Sequence, residues 1–174
     1  MKIHLICPVR NVTDEQQEEI DTYVEALRLE GNTVHNPKYA VDQDDATGYN
    51  ICLGHLTSMS SANRVDIFWD VNSKGSHFDL GMAFAMNKAV KLVKTYTPDT
   101  EGKSYVKVIL EMQKVTDKYD HFLKTSVNLI EKIKEHKFNE VKAQNYEKAT
   151  EWRAKEKDLL DMMTKAKLHF NIIE

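Results

Sequence analysis

What most constrains the fold of this chain is a regular alternation that stops abruptly. Up to about residue 103, short apolar runs alternate with segments of helical periodicity; beyond it the periodicity is helical almost throughout. The first run, "KIHLIC" (residues 2–7), ends at Pro8. Residues 12–31 follow, with Ile20, Val24 and Leu27 at helical spacing, Thr13 as N-cap with Gln16 three residues on, and Gly31 as the C′ stop. "NTVHN" (32–36) predicts a short second strand and residues 38–48 a polar loop. A helix is expected over roughly 49–62, a strand over 64–70, a helix over 77–88 and a fourth strand over 89–96. Strand and helix in this order predict an α/β fold: a Rossmann-like (flavodoxin-like) parallel sheet with flanking helices.

The remainder predicts a C-terminal helical hairpin. Tyr119, Phe122, Leu123, Val127, Ile130 and Ile133 form one apolar stripe. Ala149, Trp152, Leu159, Met162 and Met163 form a second, with a turn expected near Asn145. The chain thus divides into an α/β domain over 1–102 and a helical extension over 103–174. At 174 residues and 41% hydrophobic, it can support one ordinary core with such an appendage. A net charge of −3 asks for no nucleic acid, and there is no apolar run of about 18 residues, as a membrane span needs. Cys7 and Cys52 sit in apolar surroundings and read as reduced, buried thiols. A cytoplasmic protein is the expectation.

In parallel sheets, ligands bind beyond the carboxyl ends of the strands. Function is therefore expected in the loops "PVRNVT" (8–13) and "DVNSKGSH" (70–77), where polar groups crowd a strand end. "IHLICPVRN", an acidic helix, and then "RVDIFWDVNSKGSHFDLGMAFAMNKAVKLV" resemble the nucleoside 2-deoxyribosyltransferase superfamily, which includes nucleotide N-glycosidases. The resemblance covers roughly residues 2–95. It implies cleavage or transfer at an N-glycosidic bond through a positively charged, oxocarbenium-like transition state that a carboxylate can trap or stabilise. Asp79 stands at the nucleophile position, and Asp70 is the candidate second carboxylate. Arg10 matches an Arg near the phosphate in nucleotide-using relatives. Pro8, Asn11, Gly75, Ser76, His77, Gly81 and Trp69 complete the expected substrate site.

Two positions depart from the pattern. The family nucleophile is usually Glu, and Asp79 is one methylene shorter; a misplacement of about 1 Å can cost on the order of a hundredfold in rate. The helix over 49–62 normally supplies an Asp where this chain has His55, which can serve as a proton donor near neutral pH. Each residue also has a purely structural alternative. For Asp79 the alternative is a helix N-terminal acid, for Asp70 a turn cap, and for His55 a hydrogen-bonded structural histidine. His77 reads as a surface turn residue, Arg10 as the partner of a nearby acid, and Trp69 as core or as a wall for a base. His4 and His35 are expected to pack on or beside strands, with no metal-ligand spacing around them. Neither a metal nor a cofactor is expected.

Residues 142–163 resemble the UVR motif, a helical hairpin used for protein contacts, with Ala143, Tyr146, Glu147, Ala149 and Arg153 nearly in register. That resemblance implies a protein partner for the hairpin. The superfamily resemblance implies a homo-oligomer and a nucleoside or nucleotide ligand. The alternative to an enzyme is a non-catalytic binder of a nucleotide-derived molecule that keeps the pocket.

Overall fold

In the computed structural model, which describes residues 1–98 and 100–169, the expected strands form one four-stranded parallel sheet. In chain order the elements are β1 (Lys2–Ile6), α1 (Asp14–Leu29), β2 (Thr33–His35), α2 (Pro37–Ala40) and α3 (Tyr49–Ser61). Then come β3 (Arg64–Trp69), α4 (Lys74–Ala85), β4 (Val90–Thr95), α5 (Tyr105–Lys142) and α6 (Tyr146–His169). The sheet order is β2-β1-β3-β4, every neighbouring pair parallel. The chain runs outward from β1 to β2 and then returns to β1's other side at β3. This reversal separates the loops that leave β1 and β3 and opens a crevice between them.

Strand alternation decides what each face buries. Ile3, Leu5 and Cys7 of the first strand region pack with Val34 and Phe68 against Ile20, Val24 and Leu27 of α1. The residues between them, His4 and Ile6, therefore face the opposite side. There Ile6, Val65, Ile67 and Trp69 pack with Met59 of α3, Leu80 and Ala83 of α4, and Val106 and Ile109 at the start of α5. The expected capping box is formed: Thr13 Oγ1 accepts from Gln16 N, and Gln16 Oε1 accepts from Thr13 N. Gly31 takes φ +83° just past α1, a conformation that costs glycine little.

Two helix boundaries differ from expectation. A short helix, α2, forms inside the expected polar loop because Asn36 caps it and Pro37 occupies its first turn. Helix α4 starts at Lys74, three residues before the expected 77, because the Ser73 side chain caps it by accepting from Ser76 N.

The described residues fall into two compact units, one up to residue 114 and one over 115–169. The second holds the rest of α5 and α6, joined by a turn in which Gln144 takes φ 58°. Tyr119, Ile130, Ile133 and Ala149 are buried as the stripes require. Val127 and Met162 are not, at 47% and 54% exposure; Ser126 is buried in place of Val127, as a period of 3.6 from Tyr119 dictates. Within this unit His136 stacks on Trp152 with ring centroids 4.8 Å apart, and Lys137 pairs with Glu156. Of the UVR-like positions, Ala149 is buried, while Tyr146, Glu147 and Arg153 are exposed. Residues 170–174, the end of the expected helical extension, lie outside the described residues.

One polar network is built into the sheet. Asp66 of β3 is fully buried and accepts from Arg64 Nε at 2.5 Å, Arg64 Nη2 at 2.8 Å and the Tyr23 hydroxyl of α1 at 2.8 Å. Removing the buried carboxylate takes from half-buried Arg64 and Tyr23 the acceptor they share. Asp66→Ala is expected to destabilise the α/β unit by about 3 kcal/mol. The check is urea unfolding followed by Trp69 fluorescence in a Trp152→Phe background; a loss below about 1 kcal/mol, the worth of an ordinary hydrogen bond, would contradict it.

Candidate functional site

A cavity of about 440 Å³ lies where the strand order reverses. The loop after β1 contributes Cys7, Arg10 and Asn11, the last with φ 58°. Helix α3 contributes Ile51, Cys52 and His55, and the loop before it Gln43 and Gly48. The β3–α4 connection contributes Asn72 and Ser73, and α4 itself Lys74, Gly75, Ser76 and Asp79. Among the described residues a wider hollow runs along the exposed face of α1, lined by Asp14, Glu18, Asp21 and Glu25. That hollow is the solvated face of one helix and gathers no convergent groups.

Asp79 and His55 are brought together. The imidazole Nδ1 of His55 lies 3.0 and 3.1 Å from the two carboxylate oxygens of Asp79, and both residues are buried. An ionised carboxylate can only accept, so Nδ1 carries the proton and donates. His55 Nε2 is buried and has no hydrogen-bond partner among the described residues. Because α4 begins at Lys74, Asp79 stands in the second turn and not, as expected, in the opening one. The macrodipole fades within one turn, so the reading of Asp79 as a simple helix-start acid loses its basis.

Behind the pair lies a layer of imidazoles. His4 of β1 and His35 of β2 are register partners and stack with centroids 4.9 Å apart, 14° from parallel. Both approach His55 edge-on, at 5.7 and 6.0 Å. His4 Nδ1 is hydrogen-bonded to Ser58 Oγ of α3 at 3.0 Å. Burial first, and then the neighbouring rings of His35 and His55, push the His4 pKa down to about 3, so it is neutral at physiological pH. His35 is lowered in the same direction by burial and by His55. Buried Lys88, between α4 and β4, fastens the end of α3 by donating to the carbonyls of Ser60 (2.8 Å) and Ala62 (2.9 Å).

The remaining expected residues divide. Arg10, Asn11, Gly75 and Ser76 line the cavity; Pro8, Asp70, His77, Gly81 and Trp69 do not. Asp70 turns back on its own loop and accepts from Asn72 N at 2.9 Å and Asn72 Nδ2 at 3.2 Å, as an Asx turn does. Trp69 is 1% exposed in the core, and His77 packs on it with centroids 4.7 Å apart while hydrogen-bonding through Nδ1 to Ser73 O. Ser76 Oγ donates to Ser73 Oγ at 2.8 Å, which braces the start of α4. Arg10 is exposed and, among the described residues, makes no ion pair. Sequence reasoning missed Lys74, an exposed cation on α4's opening turn, and it missed the His4–Ser58 layer. A histidine in the middle of the apolar "KIHLIC" was the available signal for that layer.

No family model matches the chain, and no curated protein sequence does. Solved structures similar to it include two enzymes. A CMP N-glycosidase of Clostridium botulinum has 14% identity, covering 64% of this chain and 82% of its own, with a TM-score of 0.47. A 2-deoxyribosyltransferase of Bacillus psychrosaccharolyticus has 18% identity, covering 62% of this chain and 90% of its own, with a TM-score of 0.47. Likeness at this level leaves function to be read from the cavity itself.

The two cysteines provide a test of the cavity's geometry. Burial first, and then the carboxylates of Asp79 and Asp21, push the Cys7 thiol up to about 12. A raised pKa means that the thiolate, the form that reacts, is scarce below that value. Iodoacetamide at pH 8 is therefore expected to label half-buried Cys52 and spare Cys7 until the chain unfolds. Mass spectrometry of the labelled peptides checks this, and labelling of Cys7 in the native protein at the rate of Cys52 would contradict it.

Proposed function

We propose that the chain binds a nucleoside or nucleotide in this cavity and cleaves, or transfers at, its N-glycosidic bond. The observation that carries the reading is a buried carboxylate, Asp79, held by His55 in a cavity whose exposed parts include two cations, Arg10 and Lys74. As the bond from sugar to base breaks, its electron pair leaves with the base and positive charge develops on the ring. Asp79 stabilises or traps that charge, and water or a second base then takes the sugar. The His55 N–H fixes the carboxylate in one orientation in advance, which lowers the reorganisation needed at the moment of reaction. A 5′-phosphate is received by Arg10, Lys74 and the backbone N–H groups that open α4.

In this reading Asp70 has no catalytic part, since it is spent on its own turn. Proton delivery to the departing base falls to solvent or to a group of the substrate, because the His55 Nδ1 proton is committed to Asp79. The hairpin of α5 and α6, with Val127, Phe138 and Met162 exposed, remains the proposed surface for self-association or a protein partner.

A panel of nucleosides and monophosphates with product analysis is the direct test. Asp79→Asn keeps the shape and removes the charge; turnover is expected to fall a hundredfold to a thousandfold, or about 3–4 kcal/mol. Ligand affinity should change far less, because the ground-state sugar carries no positive charge. Equal turnover in Asp79→Asn and wild type would end the carboxylate mechanism. Binding without turnover in either protein would favour the second reading, a non-catalytic nucleotide binder. That reading draws on both Asp79 oxygens being taken up by His55.

The cations give a separate prediction. Arg10→Ala is expected to weaken monophosphate binding about tenfold to a hundredfold, corresponding to the roughly 1.5–3 kcal/mol of a charged hydrogen bond. It should leave the matching nucleoside nearly unaffected. Calorimetry with the two ligands measures the difference, and equal losses for both would remove the phosphate from this end of the cavity.

A further inference from the structure

We propose that His4, His55 and Asp79 form a binding site for a divalent transition metal such as Zn²⁺, and that its occupancy silences the cavity. The three residues come from three elements, β1, α3 and α4, and all are buried. One nitrogen from each imidazole and one oxygen of the carboxylate all lie within 4.8 Å of one another. Two imidazoles with a carboxylate is a donor set that suits Zn²⁺ and its neighbours in the first transition row.

The state of the nitrogens is an independent observation. His4 is hydrogen-bonded through Nδ1 to Ser58, and His55 through Nδ1 to Asp79. The Nε2 atoms of His4 and His55 are buried, and no group of the described residues reaches them. A buried polar atom without a partner is costly and calls for an explanation. An imidazole held at one nitrogen by a hydroxyl, with the other bare, is how proteins prepare a metal ligand, and His4 is held in this way by Ser58. His35 Nε2 is bare as well, but His35 does not fall within the 4.8 Å grouping of His4, His55 and Asp79, and it is left out of the set.

With bonds of about 2.1 Å, a tetrahedral ion holds its ligand atoms roughly 3.4 Å apart. The observed separations, up to 4.8 Å, must therefore close on binding, and the His55–Asp79 hydrogen bond is exchanged for bonds to the ion. His55 and Asp79 also line the cavity, which leaves the fourth position to water or to a ligand entering there. The inference goes beyond the glycosidic reading. An ion on Asp79 would put positive charge where the sugar's own positive charge must develop, so the loaded chain is inactive.

The test needs no nucleotide. The chain, stripped with a chelator, is titrated with Zn²⁺ against a chromophoric indicator and, separately, with Co²⁺ while its visible spectrum is recorded. One equivalent is expected, with the ligand-field bands of tetrahedral Co²⁺. His4→Gln and Asp79→Asn should each weaken binding tenfold or more, while Cys52→Ser and exposed His121→Gln should not. If His4→Gln fails to fold, the Co²⁺ spectrum of the unaltered chain and the Asp79→Asn titration decide. Absence of saturable binding would overturn the proposal, as would binding that survives Asp79→Asn and is lost in Cys52→Ser. A metal titration that succeeds on a chain turning over no nucleotide would leave this site standing and remove only its inhibitory consequence.

Discussion

The hydrogen bond between His55 and Asp79 is the contact around which the site is organised. It joins α3 to α4 on one side of the sheet and commits a buried carboxylate to one orientation. A buried charge is tolerated only where it is paired and hydrogen-bonded, so the surroundings of this pair are constrained in turn. Lys88 anchors the end of α3 by its last carbonyls, and His4 holds the same helix through Ser58. Ser73 and Ser76 set where α4 starts, and thereby the turn on which Asp79 projects. The unusual investment of polar groups in the interior of this small sheet follows from keeping one carboxylate in place.

Topology explains why the pair faces a cavity at all. The sheet runs from β1 to β2 and back across to β3, so the connections after β1 and β3 depart in different directions. The space between them is lined by the loop after β1, by Arg10 and Lys74, and by the opening turns of α3 and α4. A half-open crevice with a buried acid and exposed cations suits a ligand that is neutral at one end and anionic at the other. A nucleoside monophosphate has that distribution.

Much of the architecture was legible in the sequence, because it rests on local rules. Apolar runs bounded by Pro8, Pro37 and polar turns marked the strands, and Thr13 with Gln16 marked the start of α1. The misses share a physical cause. Ser73 as a cap displaced α4 by three residues, a side-chain effect that apolar periodicity does not register. Val127 matched a spacing of four from Leu123, yet the helix turned Ser126 inward instead. Asp70 had the right chemistry at a strand end but satisfied itself within its own turn. The histidine cluster was beyond the reach of spacing altogether. Residues 4, 35, 55 and 79 lie on four elements, and only the parallel register of β1 with β2 and the packing of α3 and α4 bring them together.

The central claim is that Asp79 lies against the sugar of a bound nucleotide. Its most direct measurement is a crystal structure of the chain soaked with a nucleoside monophosphate. The account predicts the anomeric carbon about 3–3.5 Å from an Asp79 oxygen, the distance of a near-attack arrangement, with the phosphate against Arg10 and Lys74. A ligand seated in this cavity with its sugar turned away from Asp79, or bound outside the cavity, would contradict it.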